Sequence, residues 1–330
     1  MQAAFIRRPG PPEAIEFGRL PNPEPSQGQI LVRVDAVSVN PIDTYLRSGA
    51  IPMELPFPYV VGCDLAGAVV ERGPGASRFQ PGDRVWGSNQ GLLGRQGTFA
   101  EFACVDEEWL YPLPDGVSPE AAAATALVGI TAHLGLVQRA QLQPGETLFV
   151  SGGSGGVGSM VIQMARLLGA RVLASAGSPA NIQACLDLGA EQAFDYRSAT
   201  IAEEIAQAAP EGVAVWWETS RSPDLETAVA GLAPGGRIVL MAGREARPPF
   251  PVGTFYVKGA SLLGFVMFQA PAEDQRRCAG DINLWLAEGS LRPRIGRVLP
   301  LSETAEAHRL QEDNTLRQAG TLSGKIVLTP

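Results

Sequence analysis

Three glycines at fixed spacing are the residues of this sequence whose pattern points most directly to chemistry. Gly153, Gly155 and Gly158 follow the apolar run 148–150 and precede a stretch with apolar residues at helical spacing. Between a strand and a helix, such glycines let the backbone approach a pyrophosphate, whose charge is stabilised by unpaired N–H groups at the helix N-terminus. The pattern predicts a dinucleotide-binding loop, and the alternative is a tight glycine turn without a ligand.

The residues after the next predicted strand bear on which dinucleotide is bound. NAD-binding units usually place Asp or Glu about 20 residues after the glycines, where it holds the ribose 2′-hydroxyl. Here the strand "RVLAS" is followed by Ala176, Gly177 and Ser178, so no carboxylate repels a 2′-phosphate. Ser175 and Ser178 offer hydroxyls to that phosphate, and the sequence therefore favours NADP, although an Arg or Lys at this turn is also missing. Ser178 has an equally simple alternative role as the cap of the next helix.

The elements that must position these residues are of two kinds, and together they predict an α/β fold. In the first third, residues 29–39 alternate with the two-residue period of a strand, and Pro-Gly pairs separate short runs, as in a compact β domain. From Thr147 onward, short apolar runs alternate with helical stretches, which is typical of βαβ units and a parallel sheet. Between them, Ser118 and Pro119 favour a helix start. The apolar segment 121–137 is shorter than the ~20 residues of a membrane span, so we interpret it as a buried helix.

Composition excludes several classes of function. The 26 basic and 34 acidic residues give a net charge of −8, which works against binding to nucleic acid. The four cysteines lie far apart, without the spacing of a zinc knuckle, and are interpreted as reduced thiols. The N-terminal residues contain no apolar core of signal-peptide length. We therefore expect a cytoplasmic protein with no nucleic-acid or membrane partner.

Six segments give the chain a resemblance to the zinc-free quinone oxidoreductases of the medium-chain dehydrogenase/reductase superfamily over nearly all of its length. They are "VSVNPIDTYLRSG", "YVVGCDLAGAVVERG", "FQPGDRVWG", "SGGSGGVGS", "LAPGGRIVLMAG" and "SGKIVL". The resemblance implies a GroES-like β domain and a Rossmann domain with a doubly wound parallel sheet. The implied division is 1–120 for the N-terminal part of the catalytic domain, 121–265 for the NADP-binding domain and 266–330 for the return to the catalytic domain.

The same resemblance implies an activity and an assembly. NADPH would be the hydride donor, and a quinone or another conjugated carbonyl would be the acceptor. The protein would be a homodimer paired through the edge of the Rossmann sheet, at "ASLLGFV". An NADPH-dependent reductase of enone or alkenal double bonds, and a non-catalytic, crystallin-like NADPH-binding protein, are the alternatives.

The zinc-dependent branch of the superfamily is a testable rival. Its members resemble this chain but carry Cys at the position of Asn40 and a His-Glu pair at Cys63 and Asp64. A catalytic zinc needs about three Cys, His or Asp/Glu ligands, and the residues present do not supply them. Of the two histidines, His133 lies in an apolar helix and is interpreted as a core residue.

Hydride transfer to a conjugated carbonyl builds negative charge on the acceptor oxygen, so hydrogen-bond donors are needed beside it. Asn40 and Tyr45 are the candidate catalytic residues. An amide can donate without titrating, and Tyr45 either donates a hydrogen bond or proton or simply packs against the β domain. Asp43 and Arg47, four residues apart, are predicted to form a helical ion pair.

The resemblance also implies a set of cofactor contacts. Asn181 stands where similar proteins often have Lys, which should weaken the grip on the 2′-phosphate. Lys325 is implied as an anion contact, with an exposed lysine at a loop end as the alternative. The implied contacts are backbone atoms of the glycine loop at Gly153, Gly155, Gly156, Val157 and Gly158, phosphate contacts at Ser175, Ser178 and Tyr196, and nicotinamide neighbours at Asn40, Thr131, Ala242, Gly243, Gly264 and Phe265.

Overall fold

The structure is a computed structural model that describes residues 1–317, 320 and 322–330. The chain divides into two compact units. Unit 1 comprises Met1–Leu127 and Ala279–Pro330, and unit 2 comprises Val128–Cys278. Unit 2 is therefore contiguous in sequence, whereas unit 1 is assembled from two separate stretches. The domain boundaries implied by the resemblance, after residues 120 and 265, stay a prediction.

The described residues form strands and helices with the following bounds. The strands are β1 (Gln2–Ile6), β2 (Glu16–Arg19), β3 (Gln29–Val39), β4 (Tyr59–Val60), β5 (Leu65–Arg72), β6 (Arg84–Gly87), β7 (Phe102–Asp106), β8 (Leu110–Pro112), β9 (Thr147–Val150), β10 (Arg171–Ala176), β11 (Gln192–Asp195), β12 (Val213–Glu218), β13 (Leu232–Leu240), β14 (Ser261–Gly264), β15 (Ile295–Pro300) and β16 (Lys325–Thr329). The helices are α1 (Pro41–Ser48), α2 (Pro119–His133), α3 (Gly156–Leu167), α4 (Pro179–Asp187), α5 (Ile201–Ala208), α6 (Leu225–Gly231), α7 (Val252–Val257), α8 (Ala272–Ala287) and α9 (Thr304–Thr315).

Unit 1 is built on two sheets. The smaller one has the order β2-β1-β4, and the larger one has the order β15-β16-β3-β5-β6-β8, with β7 also paired to β3. Strand β3 confirms the predicted strand at 29–39, and it is central because it pairs antiparallel with β5, β7 and β16. The apolar side chains of β3 and β16 lie in one core, which includes Val32, Val37, Ile326 and Leu328. The C-terminal strand β16 is therefore an inner strand of the larger sheet.

Unit 2 contains one sheet of six strands in the order β11-β10-β9-β12-β13-β14, with every pair parallel. This is the order 3-2-1-4-5-6 of the doubly wound dinucleotide-binding fold. The alternation of apolar runs and helical stretches predicted a parallel sheet, and the resemblance implied that it is doubly wound. Ligands of such sheets bind outside the carboxyl ends of the strands, near the point where the strand order reverses. In unit 2 that point lies between β9 and β12.

Helix α2 begins as predicted, because the Ser118 Oγ accepts a hydrogen bond from the N–H of Ala121 at 3.2 Å and Pro119 is the first helical residue. The helix continues directly into a π-helical segment, Leu134–Arg139. By length and composition, the 21 residues Pro119–Arg139 could cross a membrane, but 78% of their most apolar window is buried inside the protein. The interpretation of this segment as a buried helix is confirmed, and His133 is buried within it.

Candidate active site

The glycine-rich loop of unit 2 connects the end of β9 to the start of α3. Gly155 is the residue before the first turn of α3, and the helix begins at Gly156. Gly153 is buried, and its N–H donates to the carbonyl of Ser175 on β10 at 2.8 Å. The loop is thereby fixed to the neighbouring strand, while Gly155 is exposed at the helix N-terminus. The amides at that terminus have no partner within the helix and can bind an anion.

The three predicted glycines are needed for different physical reasons. A Cβ on Gly158 would overlap the carbonyl oxygen of Gly152 and would lie 2.9 Å from the Cα of Gly153. At Gly153 it would lie 2.8 Å from the Ile162 Cδ1, inside the packing between helix and sheet. At Gly155 the nearest atom would be the Gly152 oxygen at 3.3 Å, so a side chain there would point into open space. Gly158 and Gly153 thus shape the loop, and Gly155 keeps its outer surface bare.

Residues at the carboxyl end of β12 make hydrogen bonds to the segment that leads into the glycine loop. The Thr219 hydroxyl donates to the carbonyl of Ser151 at 2.6 Å, and a Cβ on Gly152 would lie only 2.5 Å from that hydroxyl oxygen. The buried Glu218 carboxylate accepts from the N–H of Ser220 at 2.6 Å and from the side chain of Ser151, and burial raises its pKa. Short-range sequence patterns did not indicate these residues. The signal that could have found them is the parallel sheet, because the carboxyl ends of adjacent strands meet at one edge.

The predicted 2′-phosphate contacts meet at the carboxyl ends of β10 and β11. The Ser178 hydroxyl accepts from the N–H of Asn181 at 3.2 Å, so it caps α4, as its alternative role predicted. Tyr196 is 53% exposed, and its hydroxyl lies where a Cβ on Gly177 would be. Ser175 is only 1% exposed. A direct phosphate contact by Ser175 would therefore require that end of β10 to open, and its observed role is to hold Gly153.

An arginine that was not predicted from the sequence lies beside these residues. Arg197 is exposed directly after Tyr196, and its guanidinium pairs with Asp195 at 2.9 Å. The pairing of Ala176 with Asp195 places the residues after β11 next to the turn after β10. The cation missing from the first turn is thus present on the adjacent one, and only the sheet pairing reveals it.

The predicted nicotinamide neighbours of unit 2 lie on several elements. Ala242 and Gly243 follow the carboxyl end of β13, and Gly264 and Phe265 lie at the carboxyl end of β14. Gly243 has a φ of 76°, which a residue without a Cβ adopts at little cost. Thr131 is buried on α2. The four residues after β13 and β14 therefore share the sheet edge at which the glycine loop begins.

In unit 1, Asn40 is fully buried at the start of α1, and each end of its amide is hydrogen-bonded. The Nδ2 donates to the Asp64 Oδ2 at 2.7 Å and to the Ser38 carbonyl at 3.3 Å. The Oδ1 accepts from the Nζ of Lys325. Both amide hydrogens are thus directed to protein acceptors, which makes Asn40 part of a buried network. Its predicted role as a donor to the substrate stays a prediction.

The network around Asn40 centres on a buried carboxylate. Asp64 accepts from the Ser38 hydroxyl at 2.9 Å and from the Ser88 hydroxyl at 2.7 Å, in addition to the amide of Asn40. Burial raises the pKa of Asp64, whereas the positive charge of Lys325 and these three hydrogen bonds act in the opposite direction. A carboxylate with this many donors is well suited to remain inside the protein.

Lys325 is 6% exposed, so the alternative of an exposed lysine at a loop end is wrong. It is the first residue of β16, and its Nζ also donates to the carbonyl of Val39 at 2.8 Å. Burial lowers the pKa of this ammonium, and the nearby Asp64 counteracts the shift. The cation therefore faces into unit 1. Its implied contact with a cofactor anion stays a prediction.

The predicted ion pair between Asp43 and Arg47 is wrong. Arg47 pairs instead with Glu312 of α9, and its Nη1 donates to the carbonyl of Gly10 at 3.0 Å. The Asp43 Oδ2 accepts from the N–H of Asn40 at 2.8 Å. Burial raises the pKa of Asp43 to about 7, although hydrogen bonds from Cys63 and Asn40 lower it. Both side chains make tertiary contacts in place of the local pair.

Tyr45 is half-buried on α1, five residues after Asn40. Of two other aromatic residues, Tyr59 belongs to the core of unit 1, where its hydroxyl donates to the carbonyl of Gly91 at 2.8 Å. Phe255 packs on the core of unit 2. These two residues therefore serve packing.

At the positions where the zinc-dependent branch carries ligands, this chain has side chains that are hydrogen-bonded to other protein groups. The amide of Asn40 donates a hydrogen bond to Asp64, and the side chain of Cys63 forms a hydrogen bond with Asp43. Burial raises the pKa of the Cys63 thiol well above its usual value, which disfavours the thiolate that metals require. In the part of the chain that the structure describes, there is no group of three or more His, Cys, Asp or Glu residues that could hold a metal ion. The donor set does not fit zinc.

The residues of unit 2 do fit a dinucleotide. The bare surface at Gly155, the free amides at the start of α3 and the parallel strand order are the features such a ligand requires.

Comparisons with known proteins agree with this arrangement. The family model described as the alcohol dehydrogenase GroES-like domain matches residues 26–115, and the one described as zinc-binding dehydrogenase matches 156–282. The second match does not include Asn40, Cys63 or Asp64. Human quinone oxidoreductase is 31% identical over 330 residues, which cover 99% of this chain and 97% of the human protein.

Solved structures show the same fold over the whole chain. An NAD-dependent alcohol dehydrogenase is 32% identical with a TM-score of 0.90, and all of both chains is covered. A mycobacterial protein solved in complex with NADPH is 27% identical with a TM-score of 0.86, again over all of both chains. The predicted GroES-like and Rossmann folds are thereby confirmed. The chain is 31% identical to the human enzyme over nearly its full length, two family models match it, and it has this fold. These findings establish that it belongs to the quinone oxidoreductase family of the medium-chain dehydrogenase/reductase superfamily.

Proposed function

We propose that this oxidoreductase uses NADPH to reduce a quinone or another conjugated carbonyl without a metal ion. The observation that carries the proposal is the network at Asn40, in which an amide, a carboxylate and an ammonium satisfy one another where the zinc-dependent branch has ligands. Full-length similarity to quinone oxidoreductases supports the acceptor class. The relative solved with NADPH supports the coenzyme.

Bound NADPH supplies the hydride, and the residues of the chain bind and orient the reactants. The amides at the start of α3 neutralise the pyrophosphate, and Gly155 leaves room for it. Ser178, Tyr196 and Arg197 offer two hydroxyls and a cation to the 2′-phosphate. In unit 1, Asn40 fixes the start of α1 and Tyr45 is the candidate donor to the oxygen on which charge develops.

A panel of quinones, enones and alkenals, each assayed by loss of NADPH absorbance, tests this function. We expect turnover with at least one quinone and a lower KM for NADPH than for NADH. Turnover of enones or alkenals alone would make the protein a double-bond reductase. Saturable NADPH binding without turnover of any acceptor would favour the non-catalytic alternative, and one equivalent of zinc in the active protein would contradict the metal-free reaction.

We also propose that the protein is a homodimer through the free edge of the sheet in unit 2. Strand β14 ends that sheet, and Leu262 on it is 42% exposed. Nearby in sequence, α7 exposes Val252, Tyr256 and Val257. An unpaired strand edge with apolar side chains is suited to pair with a second copy.

Light scattering on the purified protein checks this assembly. We expect the mass of a dimer for the wild type and that of a monomer for Leu262→Lys, because a charge on an edge strand opposes pairing. Val298→Lys is the matched control, since Val298 is an exposed apolar residue on β15, an edge strand of the larger sheet of unit 1. A dimeric Leu262→Lys variant, or a monomeric wild type, would rule out this interface.

A further inference from the structure

The chain contains only two lysines, Lys258 and Lys325, among its 26 basic residues. The remaining 24 of the 26 are arginines, and the Nζ of each lysine donates hydrogen bonds to other groups of the protein. The Nζ of Lys258 donates to the carbonyls of Val229 and Ala230 at 3.0 and 2.7 Å, at the C-terminal end of α6. Lys258 thus stabilises a helix end. Lys325 has a different role, because it contacts the candidate catalytic amide.

The contacts of Lys325 join strands that are remote in sequence. Its Nζ donates to the Val39 carbonyl, the last residue of β3, and to the Oδ1 of Asn40, the next residue. The other end of the Asn40 amide donates to Asp64. An ammonium has only donors and a carboxylate has only acceptors. With one on each side, the amide of Asn40 has a single orientation that satisfies both.

This orientation has consequences for α1. The N–H of Asn40 donates to Asp43, and the N–H of Asp43 donates to the Asn40 carbonyl at 3.1 Å, so Asn40 anchors the first turn of the helix that carries Tyr45. A displacement of Asn40 would move that turn. Catalytic groups must be held to within a fraction of an ångström, and a misplacement of 1 Å can cost about 100-fold in rate.

We propose that Lys325 is a positioning residue for the reaction, an internal cation that fixes the Asn40 amide and balances Asp64 where zinc-dependent relatives hold a metal. The proposal rests on the proposed function, and it departs from the cofactor contact that the resemblance implies for Lys325. The two roles differ in what the loss of the ammonium does. A cofactor contact supports NADPH affinity, whereas a positioning residue supports the rate at saturating NADPH.

Lys325→Met separates these roles. We expect kcat to fall about 10- to 100-fold, while the Kd for NADPH, measured by fluorescence titration, stays within about twofold of the wild type. Lys258→Met is the matched control, because it removes the other internally bonded ammonium and should leave kcat unchanged. If the Kd for NADPH rises as much as kcat/KM falls, Lys325 is a cofactor contact and the proposal is overturned.

The double variant Lys325→Met/Asp64→Asn tests whether the role of Lys325 is purely structural. Removing both charges restores charge balance inside unit 1, so the double variant should melt closer to the wild type than Lys325→Met does. If Lys325 positions Asn40, kcat stays low in the double variant, since the Oδ1 of Asn40 still lacks its donor. Recovery of kcat together with stability would overturn the proposal.

A third measurement requires no turnover and so keeps this proposal separate from the proposed function. Protein labelled with ¹³C at the lysine Cε gives only two side-chain signals. We expect Asn40→Ala to shift the signal of Lys325 and to leave that of Lys258 in place. An unshifted Lys325 signal would contradict the contact with Asn40. A wild type that turns over no acceptor would instead contradict the proposed function.

Discussion

Gly158→Ala is expected to weaken NADPH binding about 10- to 100-fold and to reduce kcat/KM by a similar factor. The added methyl group would overlap the Gly152 carbonyl oxygen and approach the Gly153 Cα to 2.9 Å. Both are backbone atoms of the glycine loop, so relief requires the loop itself to move. Overpacking of this kind costs about 1–3 kcal/mol, and each 1.4 kcal/mol is about tenfold in a dissociation constant.

Calorimetric titration with NADPH and thermal melting monitored by circular dichroism check this expectation. Gly155→Ala is the control, because its methyl group would have only one neighbour, at 3.3 Å, and the fold should tolerate it. That variant should melt like the wild type, which separates effects on the fold from effects on binding, and it should bind NADPH more weakly because its methyl group would occupy the surface that Gly155 leaves bare for the pyrophosphate. Wild-type NADPH affinity in Gly158→Ala would contradict the assigned role of the loop.

His308→Leu is expected to gain stability over the wild type on acidification, by about 2 kcal/mol between pH 8 and pH 5. His308 is buried on α9, its ring packs edge-on against Phe99, and neither ring nitrogen has a hydrogen-bond partner among the described residues. Burial, together with the nearby Arg47, lowers the pKa of His308 to about 3. The unfolded chain takes up a proton near pH 6.5 and the folded chain does not, so the wild type loses stability below that pH.

Urea unfolding at several pH values measures this difference. The free energy of unfolding of each variant must be compared with that of the wild type at the same pH. Acidification changes stability through Asp43 in the opposite direction to its effect through His308. Its pKa of about 7 in the folded protein exceeds that of an unfolded aspartate, so protonation of Asp43 stabilises the fold as the pH falls below 7. Asp43→Asn should therefore lose stability relative to the wild type on acidification. If the free energy of unfolding changed equally with pH in His308→Leu and in the wild type, His308 would have to accept a proton in the folded state as well.

Short-range sequence patterns were sufficient to predict the features that depend on residues close together in the sequence. The glycine loop, the strand at 29–39, the start of α2 and the cap at Ser178 follow from the periodicity and residue types of short segments. The parallel sheet of unit 2 follows from the alternation of strands and helices, whereas its doubly wound arrangement was implied by the resemblance. The resemblance added the GroES-like fold, which periodicity alone does not distinguish from other β domains.

Contacts between distant segments were not accessible in this way. Lys325 and Asn40 are 285 residues apart, and the sequence offered only an exposed lysine or an anion contact for Lys325. The spacing of Asp43 and Arg47 favoured an ion pair, but Glu312 competed for the arginine from a helix 265 residues away. Thr219 and Glu218 support the glycine loop only because β12 lies beside β9. Such partners depend on the tertiary fold, which short-range patterns do not encode.

The discontinuous construction of unit 1 sets an order of events during synthesis on the ribosome. Strand β16 lies between β15 and β3, so the large sheet lacks its last two strands until translation has passed through all of unit 2. The residues of unit 2 emerge as one continuous block and can form their parallel sheet first. Strand β3 pairs with β16 through residues 37–39, so in that interval these residues lack a strand partner and present a short edge that a chaperone can shield.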